Sequence, residues 1–574
     1  MLNQNTPSLE KASVTKPWMQ FYPEQMRTFI PTDNNLTEFI LNNNTDHDKD
    51  VVEYYGRKFT LNQIMAEVDK VAKAMTALNI KENDNIFVLL RAVPEFIFTL
   101  LAAEKLGVTV ICIDGLPEDQ ANAFSKAGAK VVFAYDFLPA SEEAYYYEKT
   151  CVENIICLSP YTYAVNDEIP DYVDNAIKNL YSDAVACDNR SIKWADFIKN
   201  GETVTDLPIA EKNPDRPLYC SYTSGSTGPS KQVIHSARTI NGLLGQLVIP
   251  GGIGFTLRVL HTLLPPALVA IATSIMIYNI AQTNHLILSP FCEPDDIDLE
   301  FLRYKPNQMI AIPMMANILM ESKRIPEDYP MNDLYVIGGG ADPVHNKWLD
   351  KIQAYLAKHG SPAVFSMCYG LSEVGSTAAN PRPGGDFKNC GGGVPMRGTN
   401  ISIFDPETLE ELDYGQVGEV CVHGPANMVR YDSPEDTAKT MKLHSDGKVW
   451  VHTGDFGCMN SLGELFVYSR GLNKHFSGNN LYTTVMENKV VEVEGIADCF
   501  FVIPADKEHE GCFVPYLYVV LEKGVELSDV EDVIRNRLED YEQPKEIYVV
   551  EKREYFHFKT NRRILAAKIL NGEH

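Results

Sequence analysis

Between residues 50 and 140 the apolar positions alternate between helical spacing and short continuous runs. Residues 60–78 carry apolar side chains at helical spacing, 85–90 form a short apolar run, 94–106 return to helical spacing and 108–113 form a second apolar run. Short apolar runs predict buried strands and the stretches between them predict crossover helices, so the pattern predicts a β-α-β rhythm and a parallel sheet. Residues 139–201 are aromatic and acidic without a clear period, and they predict a surface elaboration. The most apolar long stretch, 259–280, contains His261, Pro265, Pro266, Thr273, Ser274 and Asn279. Such interruptions predict a buried strand followed by a core helix rather than a membrane span.

Farther along, 335–337 is an apolar strand running into Gly338-Gly339-Gly340. Short apolar runs at 401–404 and 417–422, separated by Gly, Asp and Pro, predict a small β-rich subdomain over about 394–470. Strand-like 499–503 and 516–520 with helix-like 527–538 predict a compact α+β unit at the end of the chain. The expected fold class is α/β: a large N-terminal domain, residues 1–470, with βαβ parallel sheets and a β-rich subdomain, and a small α+β domain, 471–574.

Composition narrows the function. A chain of 574 residues exceeds what one hydrophobic core organises. A net charge of −26 disfavours a nucleic-acid backbone or a polybasic membrane anchor as partner. The twelve cysteines are scattered singly, with no Cys-x-x-Cys pair, as in a reducing compartment. The first residues show no basic segment followed by an apolar core, so a cytoplasmic location is expected.

The chemistry centres on Tyr222-Thr223-Ser224-Gly225-Ser226-Thr227-Gly228-Pro229-Ser230-Lys231. Two glycines three positions apart let the backbone approach an anion, hydroxyls and N–H groups donate to phosphate oxygens, and Lys231 adds positive charge. The spacing differs from that of the P-loop, because no Ser or Thr follows the lysine. Three more motifs follow in order. Tyr369-Gly370-Leu371-Ser372-Glu373 offers an aromatic face for adenine, a hydroxyl for phosphate and a carboxylate for Mg²⁺. His452-Thr453-Gly454-Asp455, with Arg470 beyond it, offers an ionised carboxylate for the paired hydroxyls of a ribose. The segment 549–565 carries Lys559 and Arg562.

Together these stretches resemble the signature motifs of the adenylate-forming superfamily: acyl-CoA synthetases, peptide-synthetase adenylation domains and luciferases. The AMP-forming acyl-CoA synthetases are the nearest of these. The resemblance implies ATP contacts at Thr223, Ser224, Gly225, Ser226, Thr227, Gly228, Lys231, Gly339, Gly340, Tyr369, Gly370, Ser372, Asp455 and Arg470. It implies Mg²⁺ on Glu373, catalytic roles for Thr227, Glu373 and Lys559, and a C-terminal domain that rotates between two half-reactions. Departures are Ser230 for proline, Gln232 for glycine, Arg553 for proline, Tyr555 for threonine and Phe558 for the glycine before the lysine. The family's hinge aspartate falls near Asn473.

The implied reaction joins a carboxylic acid to ATP, releases pyrophosphate and passes the acyl group to coenzyme A. Two alternatives stand beside it: loading of a carrier-protein phosphopantetheine, and nucleotide or acyl binding without catalysis. Amino-acid-activating members carry an aspartate in the acyl pocket, and no acidic residue occurs between 251 and 288 here, so an uncharged acyl or aryl acid is expected.

Overall fold

The computed structural model describes residues 11–181, 190–223, 230–248, 254–340, 342–382, 384–385, 388, 390–556, 559–560 and 562–573. Two largely parallel sheets dominate the N-terminal part. In the first, the strand order is Arg430–Tyr431, Gln232–Ser236, Pro217–Tyr222, Thr109–Ile111, Asn85–Val88, Val131–Tyr135, Asn154–Leu158, Ile192–Lys193. The second runs Phe365–Met367, Val336–Gly339, Gln308–Ile310, Arg258–Thr262, His285–Ser289, Asp50–Tyr54, Arg57–Thr60.

The helices between the early strands follow the apolar spacing. Leu61–Ala77 starts at a capping box in which Thr60 and Gln63 satisfy each other's backbone N–H, and it buries Leu61, Ile64, Val68, Val71 and Met75. Pro94–Leu106 opens with proline at its first turn, is buried nearly all round, and stops at Gly107 in the left-handed region. The stretch 259–280 is a buried strand, Arg258–Thr262, followed by the buried helical segments Ile271–Ile277 and Tyr278–Ala281.

Residues 139–201 depart from the expected surface elaboration. Asn154–Leu158 is an inner strand paired in parallel with Val131–Tyr135, and Val173, Ile177, Trp194 and Phe197 are buried. Tyr146 and Glu143 of helix Ala140–Lys149 are buried too, so polar and aromatic residues on the inner side of a short helix obscured the period.

A third, antiparallel sheet occupies the expected β-rich region, with order Ala379–Asn380, Gly391–Pro395, Leu465–Arg470, Val449–Met459, Gly418–His423, Asn400–Phe404. The C-terminal residues form a smaller α+β unit. Its sheet is Ile496–Val502, Tyr516–Leu521, Ile547–Val549, packed by helices Thr483–Val491 and Leu527–Arg537 around Met486, Val490, Phe501, Leu517 and Ile534. This unit docks on the start of helix Asn346–Lys358. His345 Nε2 meets Asp498 at 3.0 Å, Asn346 N–H donates to Asn488 at 2.9 Å, and Lys347 Nζ donates to Ile496 O at 2.6 Å. Among the described residues no helix is long and apolar enough to cross a membrane. The described cysteines are free, and most are buried.

Candidate active site

Antiparallel pairing in the third sheet places Asp455 directly opposite Arg470. Arg470 Nη1 donates to Asp455 Oδ1 at 3.0 Å, and the Tyr369 hydroxyl donates to Oδ2 at 2.8 Å. Each carboxylate oxygen thus keeps a lone pair for one further donor, which suits two adjacent hydroxyls. The turn before Asp455 is tightly fixed. Gly454 takes the left-handed backbone there, Thr453 Oγ1 donates to Val420 O at 2.7 Å, and Asp455 N–H donates to Thr453 Oγ1 at 3.0 Å.

Behind that turn Glu419 accepts Gly454 N–H at 3.0 Å and meets His452 Nδ1 at 2.7 Å. Burial would push the Glu419 carboxyl up, but His452 and the Gly454 N–H outweigh it and hold it below the usual range. A carboxylate oxygen of Glu419, the Cys421 thiol and a His452 ring nitrogen lie within 4.8 Å of one another. Both ring nitrogens of His452 are engaged, Nδ1 with Glu419 and Nε2 with His444 at 2.9 Å, so the cluster serves to hold the turn.

Glu373 is buried at the short helical turn Ser372–Val374. The Tyr431 hydroxyl donates to its Oε1 at 2.6 Å, and Met428 N–H donates to its main-chain oxygen at 2.7 Å. His235 Nε2 lies 2.8 Å from Ser372 O, and burial lowers this imidazole to about 4, so it stays neutral and donates there. An inward carboxylate whose second oxygen is left for a ligand fits a hard cation such as Mg²⁺, which needs only one or two protein carboxylates.

The ends of the hydroxyl-rich loop are clasped together. Thr223 N–H donates to Lys231 O at 2.9 Å, and Lys231 N–H donates to Thr223 Oγ1 at 3.0 Å. Lys231 Nζ pairs with Asp436 at 3.0 Å and lies 5.0 Å from the centre of the Tyr431 ring. Tyr431 therefore bridges Lys231 and Glu373. Ser224, Gly225, Ser226, Thr227 and Gly228 lie outside the described residues.

Glycines admit the backbone approaches around this centre. A Cβ on Gly370 would sit 1.6 Å from Ser376 O, and one on Gly340 3.0 Å from Cys368 O. At Gly339 the nearest atom is 3.3 Å away, whereas Gly338 would meet Ser366 O at 2.2 Å, so Gly338 is the sterically obligatory glycine of that strand. The Tyr369-Gly370 segment is tied to the apolar helix after 264 through Ser376 Oγ and Ser274 Oγ, 2.9 Å apart. Leu264, Pro266 and Val269 are buried along this side, and Leu268 is exposed.

Lys559 reaches the same centre from the C-terminal unit. It lies on a small hairpin, Tyr555–Phe556 with Lys559–Thr560. Burial lowers its ammonium below the ordinary lysine range. Asp342, Asp455 and Glu373 favour its charge and Arg470 opposes it, so its ammonium feels the charges of the residues described above. Thr560 N–H donates to Asp342 Oδ2 at 3.0 Å, and Arg562 Nη1 lies 3.4 Å from Asp342 Oδ1. Arg562 also pairs with Glu487 at 3.0 Å, so it braces the hairpin rather than entering the site. Phe558 lies outside the described residues.

Tyr431, Glu419, His235 and Asp342 escape the sequence reading. Glu419 and Tyr431 follow ordinary strand residues, His235 reads as one of a buried run, and Asp342 follows the glycines as a common turn residue. An acidic residue within two positions of a glycine-rich strand end was the one available signal.

The chain matches the family model described as AMP-binding enzyme over residues 41–432, and the AMP-binding enzyme C-terminal domain over 485–554. It is 25% identical over 514 residues to 4-coumarate--CoA ligase 1 of Solanum tuberosum, covering 86% of each chain. To 4-coumarate--CoA ligase 1 of Arabidopsis thaliana it is 24% identical over 548 residues, covering 90% of this chain and 89% of the relative. Among solved structures it is similar to ATP-bound MatB from Rhodopseudomonas palustris, with a TM-score of 0.77, 18% identity, and coverage of 94% and 99%. It is also similar to o-succinylbenzoate coenzyme A synthetase from Bacillus subtilis with ATP and magnesium, with a TM-score of 0.70, 19% identity, and coverage of 93% and 99%. The family match spans more than half of the chain and both of its parts, and the chain belongs to the AMP-binding enzymes, the adenylate-forming superfamily.

Proposed function

We propose that the chain uses ATP to activate a carboxylic acid whose acyl or aryl group is uncharged, and transfers the acyl group to coenzyme A. The observation that carries this is the convergence of Asp455, Arg470, Tyr369 and Glu373 with Lys559 from the C-terminal unit. Family membership and the coenzyme A ligase names of the relatives support the same reading. Asp455 would hold the ribose hydroxyls, Tyr369 and the glycines at 339, 340 and 370 the adenine side, and Thr223 to Gly228, Lys231 and Ser372 the phosphates.

The acid is already ionised near neutral pH, so no general base is required. Its oxygen forms a bond to the α-phosphorus, and the bond from that phosphorus to the oxygen of the β-phosphate breaks, releasing pyrophosphate. The obstacle is repulsion between anions. Glu373 would hold Mg²⁺, which when bound offsets phosphate charge. Thr227 and Lys559 would stabilise the charge that develops on the phosphorus oxygens. In the second step the coenzyme A sulfur attacks the acyl carbonyl and AMP departs with the former carboxylate oxygen.

The same reading divides the chain into 1–470, including the β-rich 394–470, and a rotating 471–574. A cytoplasmic setting fits the free cysteines. The test is pyrophosphate release with ATP, Mg²⁺ and a panel of fatty, aryl and α-amino acids, followed by a choice of thiol between coenzyme A and a phosphopantetheinylated carrier. Release with fatty or aryl acids and preference for coenzyme A are expected. Lys559→Ala should lower release roughly 10²- to 10³-fold. Release with α-amino acids alone, or with no acid at all, would overturn the reading.

A further inference from the structure

Arg553 stands where the family motif has proline, and the structure gives this departure a purpose. Its side chain is only 8% exposed. The guanidinium forks onto Asp498, with Nε 2.9 Å from Oδ2 and Nη2 2.6 Å from Oδ1. Nη2 also donates to Cys499 O at 2.6 Å, Nη1 donates to Thr560 Oγ1 at 3.2 Å, and the group lies 5.0 Å from the centre of the Phe500 ring. Thr560 is the neighbour of Lys559 and is itself held by Asp342 of the large unit. Asp498, on its other side, meets His345 of the large unit at 3.0 Å.

A hairpin of two-residue strands outside any larger sheet does not hold its own geometry. In the family motif, proline fixes the backbone at this point and glycine admits a turn closed to other residues. Here both are replaced, and a bidentate ion pair, its guanidinium buried and its carboxylate partly exposed, spans the base of the hairpin. Pairs of this kind add little net stability and a great deal of geometric definition.

We propose that Arg553 is a positioning residue for the adenylation half-reaction: its fork on Asp498 and its bond to Thr560 fix the hairpin that presents Lys559, in place of the family's proline and glycine. The proposal rests on the function proposed above for the half-reaction it names, but the docking of the hairpin can be read without any turnover. A chain of contacts, His345 to Asp498 to Arg553 to Thr560 to Asp342, runs from the large unit through the small one and back. Lys559 sits beside its last link.

The experiment uses the full chain with Arg553→Met, which keeps volume, Arg553→Lys, which keeps charge, and Arg553→Met combined with Asp498→Asn, which leaves no unpaired buried charge. Amide hydrogen exchange is followed at Thr560 and across strands Ile496–Val502 and Tyr516–Leu521. In Arg553→Met and in the double variant, protection at Thr560 should fall roughly tenfold or more while both strands keep theirs. Pyrophosphate release should fall about 10- to 100-fold, as for a catalytic group displaced by about an ångström, with acyl transfer from preformed adenylate within about twofold of the parent. Arg553→Lys should recover part of both effects, because a lysine cannot fork. Unchanged protection at Thr560 would overturn the proposal. So would equal loss across both strands, or equal loss of both half-reactions. A parent chain that releases no pyrophosphate would sink the functional reading, while the exchange result would still decide the docking of the hairpin.

Discussion

At the scale of single residues the site depends on Asp455, whose two oxygens each hold a protein donor and keep room for another. Asp455→Ala would delete both proposed ribose contacts and leave Arg470, which opposes the charge of Lys559, without its carboxylate partner. Loss of one or two charge-assisted bonds predicts ATP binding weaker by about 10- to 100-fold. Asp455→Asn, which keeps one acceptor, should fall between. Calorimetric titration of the folded variants checks this, and unchanged affinity would remove Asp455 from the ribose. The sequence reading singled out Asp455, Tyr369, Glu373 and Lys559, each a distinctive side chain in a tight motif, and the proposed nucleotide site is built on these residues. Tyr431 and Glu419 were not singled out, because each acts on a motif distant in the chain: Tyr431 on Glu373 and Glu419 on Gly454. Nothing local marks such a residue.

Among the elements, turns matter more than the helices and strands that lead into them. Gly370 and Gly454 show why glycines are not equivalent. Alanine at 370 would drive a Cβ to 1.6 Å from a backbone oxygen of Ser376, so the whole 369–377 turn must move, whereas Gly454 has open space and only its left-handed backbone to satisfy. Gly370→Ala should therefore lower pyrophosphate release by about 10²-fold, through displacement of Tyr369 and Glu373 by about an ångström. Gly454→Ala should cost only about 1–2 kcal/mol of backbone strain. Parallel activity assays and thermal melts separate the two, and equal activities would contradict the steric argument. Helices Leu61–Ala77 and Pro94–Leu106 were legible because their apolar spacing and terminal signals agree. Asn154–Leu158 was missed because tyrosines and carboxylates crowd the sequence around a strand that tertiary pairing alone buries.

For the molecule as a whole, acidification brings opposing effects. A net charge of −26 at neutral pH means self-repulsion that relaxes as the pH falls, which stabilises the fold. Against this stands His261, fully buried in strand Arg258–Thr262. Its Nε2 lies 2.8 Å from Leu264 O, and its Nδ1 has no hydrogen-bond partner. The neutral ring donates from Nε2, and a proton added at Nδ1 would be buried without an acceptor. Burial accordingly lowers this imidazole to about 4, although its bond to Leu264 pulls the other way. Between about pH 6.5 and about 4 the unfolded chain binds the proton that the folded chain refuses. Stability from this residue is complete above that window and declines as pH falls through it, by about 3 kcal/mol in all. Asp498 responds in the same direction but in a lower window. Burial would raise it, but His345 and Arg553 hold it well below its ordinary value, so its contribution persists through the histidine's window and declines only below about pH 4. Glu95, raised to about 8 by burial, and His235, lowered to about 4, contribute to the parent and to a His261 variant alike, so in about 0.15 M salt, where long-range repulsion between surface charges is screened, the difference between the two chains isolates this residue. His261→Gln, which keeps a donor for Leu264 and cannot titrate, should gain in thermal midpoint relative to the parent as the pH falls from 7 to 4.5, at high and at low salt. Melting curves at both salt concentrations decide the matter. A variant that tracks the parent at every pH would show that His261 does not govern acid sensitivity.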